Sequence, residues 1–313
     1  AMGYNAAMDT IEMAAILHGG KDAIKKDPAL SCLINTRTPL GYDERMLGAL
    51  HAYAETGQAV IPTPAIMSGS TGPATLAGTL SLQNAEVLAG IALAESINPG
   101  TLVVYGAMSY LADMKSVLMS TGNAEHALFM SASAQLARWY DIPSRGGGAN
   151  TDAKEVDVQA SYESMMTLFA TSIAGINFVI HAAGTLQSHA AMSFEKFIID
   201  DEIAGMILHY LKGFDFSNDE KLAFDVIKEA GPGGNFLTLD HTADNFREEH
   251  FIPVFSDRRL FEHWNNPYVE PGEKAKKMWQ KRLDEYTPPA LDAGIRSKLD
   301  AFVSKRKNEI LGK

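Results

Sequence analysis

Residues 142–154 read Ile142-Pro143-Ser144-Arg145-Gly146-Gly147-Gly148-Ala149-Asn150-Thr151-Asp152-Ala153-Lys154. A short apolar approach ends in Arg145. Three successive glycines follow, and glycine takes backbone conformations closed to residues with a Cβ. Asn150, Thr151, Asp152 and Lys154 then place four polar groups just ahead of a helical pattern. This is how a strand looks when it runs into an active-site loop. The same spacing also fits a glycine-rich turn in which Asp152 is the N-cap of the next helix.

The unit repeats on both sides. Residues 30–35, 59–64 and 101–106 are short apolar runs, followed by helical patterns at 43–56, about 73–97 and 123–140. Asp43 opens the first of these helices, and Asn98-Pro99-Gly100 closes the second. Beyond the opening stretch come a helix at 157–174, a fifth strand at 176–181 ending in His181-Ala182-Ala183-Gly184, and a helix at 193–211. A helix at 6–18, stopped by Gly19-Gly20, precedes them all with no strand before it.

Apolar strands that alternate with helices predict an α/β fold with a parallel sheet covered by helices. Every strand ends in a polar or glycine-rich loop, whereas an open doubly wound sheet would concentrate its site at one switch point. The expectation is therefore a TIM-barrel-like parallel (β/α) fold with five of eight strand–helix units present. No GxGxxG follows a strand, which removes support for a dinucleotide fold. Residues 1–213 form the barrel portion. Charged helices at 217–230 and 275–286, around Gly231-Pro232-Gly233-Gly234, make 214–313 a helical cap or interface region, with 298–313 a solvated helix.

With 46% hydrophobic and 21% charged positions, the 313 residues bury a large core in the manner of a soluble protein. A net charge of -11 and short basic runs argue against nucleic acid as a partner. The single cysteine, Cys32, rules out a disulfide framework and reads as a small core residue in a cytoplasmic protein. No secretory signal opens the chain, and Ala1 before Met2 looks like a tag scar. Residues 164–194 lack Asp, Glu, Lys and Arg but include Asn177, His181, Gln187 and His189. A buried helix followed by a buried strand fits them better than a membrane span.

His181 sits where a strand-end side chain points into a barrel mouth, although a hydrogen-bonded core histidine has the same local look. Glu195, with Asp200, Asp201 and Glu202 on the following helix, offers carboxylates for cation binding or acid–base work, or simply a solvated helix face. Tyr105, Tyr110, Phe178 and Phe194 are aromatic candidates for holding a quaternary ammonium, a contact worth about 0.5–2 kcal/mol. His241 with Asp240 and His250 with Glu248 lack metal-ligand spacing, so no metal site is expected. Ser68-Gly69-Ser70-Thr71-Gly72 misses the nucleophile-elbow pattern, and Gly231-Pro232-Gly233-Gly234 lacks the Lys-Ser/Thr of a P-loop.

Six segments together resemble the trimethylamine methyltransferase family: 11–16, 63–78, 84–90, Pro-Ser-Arg-Gly-Gly-Gly at 143–148, His-Ala-Ala-Gly at 181–184 and Gly-Pro-Gly-Gly at 231–234. The similarity runs through nearly the whole chain in order. It is greatest to the branch without pyrrolysine, which includes glycine betaine methyltransferases. The resemblance implies a TIM barrel that passes a methyl group from a methylated amine to the cobalt of a corrinoid (cobalamin) carried by a partner protein. The chain departs from the family in being shorter at the N-terminus and in having Asn235 where many members have His. On this reading Asp152, His181 and Glu195 are the catalytic candidates. Tyr105, Arg145, Gly146, Gly147 and Gly148 bind substrate. The corrinoid protein and a small methylated amine are the partners, with neither nucleic acid nor membrane involved, and the chain is a homo-oligomer. Two rival readings are a non-catalytic family member that binds a small cation or a partner protein, and a metal-dependent barrel hydrolase or lyase.

Overall fold

In the computed structural model, which describes residues 3–264 and 269–312, two helices open the chain, α1 (Tyr4–His18) and α2 (Lys21–Lys26). They are separated by Gly19 and Gly20, both at positive φ. Strand and helix then alternate: β1 (Ser31–Asn35), α3 (Glu44–Glu55), β2 (Ala59–Thr63), β3 (Met67–Ser68), α4 (Leu76–Ile97), β4 (Tyr105–Gly106), β5 (Tyr110–Ala112), β6 (Met119–Ser120), α5 (Ala124–Trp139), β7 (Ser144–Gly147), α6 (Val158–Ile173), β8 (Phe178–Ile180), the short β9 (Thr185–Leu186) and β10 (Ala191–Met192), and α7 (Phe194–Lys212).

β1 pairs with β2, β4 with β7 and β7 with β8, all parallel. The Val60 amide donates to the Leu102 carbonyl and the Val104 amide to the Val60 carbonyl, each at 3.0 Å, which links the two groups. The five expected strands therefore lie side by side in chain order. The third is shorter than 101–106 because its neighbours carry Pro62 and Pro143, which have no N–H to donate and thin the ladder on both sides.

Among the described residues no closed barrel is formed. β1 is paired only with β2 and β8 only with β7, so among the described residues the sheet has two open edges. Eight tilted strands close such a barrel, and five strand–helix units cover only part of its circumference. Phe178 of β8, expected inside, is 46% exposed at the open edge.

Side-chain caps fix the helix starts. Asp43, Asn123, Asp157 and Ser193 accept from the amides of Met46, His126, Ala160 and Lys196. Asp157 caps α6, which leaves Asp152 free for the loop. Ile11, Ile34, Leu50 and Val60 centre one apolar core, and Leu168, Ile203 and Ile207 join α6 to α7 in another. α4 is long and apolar enough to cross a membrane, yet its Gln83 and Glu86 are buried, Gln83 bonding Ser109 and Ser133 and Glu86 accepting from Thr38 and the Leu40 amide.

Beyond α7 come α8 (Asp219–Leu222), α9 (Phe224–Ala230), α10 (Asp240–Glu249), α11 (Phe261–Trp264), α12 (Pro271–Asp284) and α13 (Ala293–Leu311). The helix expected at 217–230 breaks at Ala223, which sits in the left-handed region. α12 docks on α7: the Trp279 ring packs tilted against Phe194 with centroids 5.0 Å apart, and Arg282 reaches Asp201 at 3.2 Å. α13 reaches back to α1 through Arg306 and Asp9 at 2.6 Å.

Candidate functional site

Arg145 lies in β7 just before the glycines and is only 1% exposed. One terminal nitrogen donates to the Ala107 carbonyl at 3.2 Å, the other lies 3.4 Å from His181 Nδ1, and Nε has no partner. Among the described residues no carboxylate pairs with this guanidinium. Burial lowers its pKa to about 10, so it remains a cation at neutral pH.

His181 ends the fifth strand with φ 62°, and His189 lies at φ 73° in the loop between β9 and β10. Their rings lie against each other at a tilt of 57°, with centroids 4.5 Å apart. Both ring nitrogens of His189 are buried without a partner. Burial, and then the positive charge of Arg145, hold His181 below the ordinary histidine value; burial foremost, then the nearness of His181, His126 and Arg145, takes His189 to about 4. Both rings are neutral at pH 7. Since a guanidinium can only donate, Nδ1 of His181 accepts and its proton sits on Nε2.

Asp152 fastens the loops around this pair. Its carboxylate accepts from the Ser120 and Ser188 hydroxyls and, at 2.8 Å, from the Thr121 amide. Burial would raise its pKa, but these bonds together outweigh burial and keep it below the usual carboxylate value. Backbone bonds from Gln187 to Ala153 and from Ser188 to Thr151 stitch the same two loops. The Lys154 ammonium turns back to the Asp152 carbonyl at 2.7 Å. A fully buried His126 lies behind, with Nδ1 2.8 Å from the Ser109 carbonyl and Nε2 2.8 Å from the Asn150 amide; burial holds it neutral, with a pKa of about 4.

The glycines serve space rather than backbone freedom, for none of Gly146, Gly147 and Gly148 has positive φ. A Cβ on Gly147 would lie 2.9 Å from His126 Nε2, and one on Gly148 would lie 2.6 Å from Ala182 Cα. The glycines thus let the histidine-bearing strand end close against β7.

Two expected site residues are engaged elsewhere. Tyr105 is wholly buried between α4 and α5, donating to Asn84 at 3.0 Å and stacking on Tyr140, and burial raises its pKa. Glu195 accepts from Trp279 Nε1 and from the Ser193 hydroxyl, each at 2.9 Å, and so fastens α12 to α7. Those bonds, the indole's first, also depress its pKa. Nor is the adjoining stretch a solvated face: Lys196 and Asp200 are buried and 2.5 Å apart. Asp200 also accepts from the Gly184 amide at 2.8 Å, and Lys196 donates to the Ala149 carbonyl at 3.3 Å. Burial pushes the lysine down and the carboxyl up, against their mutual attraction. Phe194 is likewise taken up by Trp279.

His126, His189, Ser120 and Ser188 are the site residues that sequence reading missed. The one available signal was the run at 164–194 that lacks Asp, Glu, Lys and Arg yet holds two histidines. A cavity of about 460 Å³ opens beside His181, lined also by Thr185, Met192, Phe197 and Asp201. A larger one of about 1010 Å³ lies among residues 254–281 and touches none of the strand-end residues. Among the described residues no group of three or more His, Cys, Asp or Glu is placed to hold a metal ion.

A buried cation with open donors, at the carboxyl ends of parallel strands, is equipment for holding a small polar molecule. The family model for trimethylamine methyltransferase (MTTB) matches residues 1–311. The chain belongs to this family. A glycine betaine methyltransferase of Desulfitobacterium hafniense (strain Y51) is 59% identical over 310 residues, covering 99% of this chain and 64% of that protein. A proline betaine:corrinoid methyltransferase of Eubacterium limosum is 38% identical over 261 residues, 81% of this chain and 53% of the relative. The trimethylamine methyltransferase MttB of Desulfitobacterium hafniense (strain DSM 10664 / DCB-2) is 34% identical over 307 residues, 96% and 60% respectively. The chain thus spans between 53% and 64% of the length of these family members.

Proposed function

We propose that this chain carries the donor site of a cytoplasmic methyltransferase that moves a methyl group from a quaternary amine to the cobalt(I) corrinoid of a partner protein. The supporting observation is the strand-end cluster of Arg145, His181 and His189. Its guanidinium is buried, its two histidines are half-buried, and it contains no activated nucleophile.

The chemistry needs little else. The N–CH₃ bond breaks with its electron pair left on nitrogen, so the amine departs neutral and takes no proton. The corrinoid, a second substrate brought by the partner, supplies at cobalt(I) the electron pair for the new bond to carbon. What remains for the chain is to hold the donor, aim its methyl group outward and exclude water. Asp152 sets the loop that carries His189 through Ser188, and Gly147 and Gly148 let β7 and the His181 turn close up. Asp152 is therefore a positioning residue on this reading, and Tyr105 and Glu195 support the fold.

The test is methyl transfer from a panel of quaternary amines to reduced cobalamin, followed by the cobalt absorption spectrum. Transfer from at least one amine is expected. The open sheet favours one rival, a non-catalytic chain that binds a small cation or a partner. Saturable amine binding with no transfer to free or protein-bound corrinoid would establish the rival.

A further inference from the structure

One side-chain amide at the strand ends is oriented by its neighbours and left half used. The Ser109 carbonyl only accepts, so His126 Nδ1, 2.8 Å from it, carries the ring's proton. Burial foremost, with the nearness of Arg145 and His181 adding to it, keeps that ring neutral. Nε2 is therefore bare and accepts. The Asn150 amide, 2.8 Å away, must turn its nitrogen to His126 and its oxygen elsewhere. That oxygen, Oδ1, is buried and has no partner. A buried acceptor left unmade is costly, and a native protein keeps few of them.

The strand places this amide over the site. Side chains alternate along a strand, so positions 145 and 147 share one face of β7 and position 146 takes the other. A Cβ on Gly146 would meet Met130 Sδ of α5 at 3.1 Å, on the helix-covered side. A Cβ on Gly147 would lie 2.6 Å from the Asn150 amide nitrogen and 2.9 Å from His126 Nε2. Asn150 and His126 thus stand on the face from which Arg145 projects, in the space that Gly147 leaves empty. Arg145 Nε, both nitrogens of His189 and Thr121 Oγ1 are also buried without a partner. The first only donates, and the others change role with tautomer or rotation. Asn150 Oδ1 is the member of this set that can only accept.

We propose that Asn150, oriented by His126, receives the positive end of the methyl donor: Oδ1 lies against the methyl groups that remain on nitrogen and turns the ammonium away from the guanidinium. The charge of such a cation is spread over its methyl hydrogens, which make C–H···O contacts to an oxygen at about 3.3–3.6 Å. His126 is a positioning residue that acts through the amide. Without its bare nitrogen Asn150 is free to turn over, and an NH₂ group then repels the cation. This rests on the methyl-donor reading above and adds to it the group that recognises nitrogen.

Tetramethylammonium, which has the methylated nitrogen and no other polar group, is the probe. Calorimetry on the full chain measures its binding, and nitrogen NMR follows the Asn150 side-chain amide. The expected result is saturable binding that shifts this amide. Binding should weaken about fivefold or more in Asn150→Ala and in His126→Phe, with the double variant no weaker than either single one. His126→Gln, whose amide nitrogen can donate to Ser109 while its oxygen accepts from Asn150, should restore binding to within about twofold. A merely structural histidine would show neither that coupling nor that rescue. If the variants fail to fold, the Asn150 resonance of the unaltered chain decides. No binding, binding with the Asn150 amide unmoved, or unaltered binding in a folded Asn150→Ala chain overturns the assignment. Binding that shifts Asn150, with no methyl transfer from any amine to reduced cobalamin, upholds the assignment and defeats the methyl-donor reading. Methyl transfer that Asn150→Ala leaves unchanged does the reverse.

Discussion

Three neutral histidines and one ionised aspartate set the acid behaviour of this molecule. His126 and His189 are held at about 4 by burial, against 6.5 for a free imidazole. Between those values the unfolded chain takes up a proton at each position and the folded chain does not, so stability falls as pH drops from 6.5 towards 4. Each histidine contributes roughly 1.4 kcal/mol per pH unit within that window. His126→Gln should remove about one proton's worth of slope from urea-unfolding free energies measured from pH 7 to pH 5; an unchanged slope would mean that His126 titrates freely when folded. Asp152 acts in a separate range. Its folded pKa lies below the ordinary value, so its contribution is complete above that value and is lost as pH falls through the folded one. Asp152→Asn should cost about 1–3 kcal/mol at pH 7, because an amide nitrogen then faces the hydroxyl and amide donors, and the gap should narrow in acid. None of these pairings was legible in the sequence. Ser120 and Ser188 flank Asp152 at 32 and 36 residues' distance, and only the fold brings them together.

At the scale of the element, the sequence was readable wherever one turn of local chemistry decides the outcome. Five parallel strands and six of the helices lie where apolar runs and caps put them, because Asp43, Asn123, Asp157 and Ser193 each satisfy a helix's first amides. Burial was misread where charges pair across helical turns. Lys196 and Asp200 have the composition of a wet face, yet together they lock α7 to the turns at Ala149 and Gly184. Asp200→Asn strands a buried ammonium and should cost about 3–5 kcal/mol, whereas Lys196→Met with Asp200→Leu should recover much of that loss in thermal unfolding. If the single and double variants melt alike, the pair is not the lock. The glycines were found for a different reason from the one that keeps them. Gly148→Ala would push a methyl into the Ala182 backbone, which cannot yield as a side chain can. The turn carrying His181 must then shift, and binding of whichever methylated amine proves to be the donor should fall more than tenfold with the melting temperature lowered by only a few degrees. Unaltered binding in a folded Gly148→Ala chain would separate that turn from the site.

The shape of the whole molecule follows from what an open sheet leaves uncovered. Strand count and loop chemistry suggested a barrel, but closure depends on how many strands meet, which no local pattern encodes. Among the described residues β1 and β8 each have one unpaired side, and Phe178 stands exposed at the β8 edge. Unpaired strand edges with apolar neighbours are templates for association. The chain's own devices protect other faces: Trp279 and Arg282 seal one side of α7, and Arg306 ties α13 to α1. The β8 edge has no such cover among the described residues. The expected outcome is concentration-dependent association in solution, through an interface of more than about 2,000 Å², a size that marks obligate rather than transient contacts. Light scattering from 1 to 100 μM measures it. Phe178→Lys places a charge on the edge strand and should return the chain to its monomer mass without lowering its melting temperature. A chain that is monomeric throughout that range, with or without the substitution, would show that the β8 edge is stable in water as it stands.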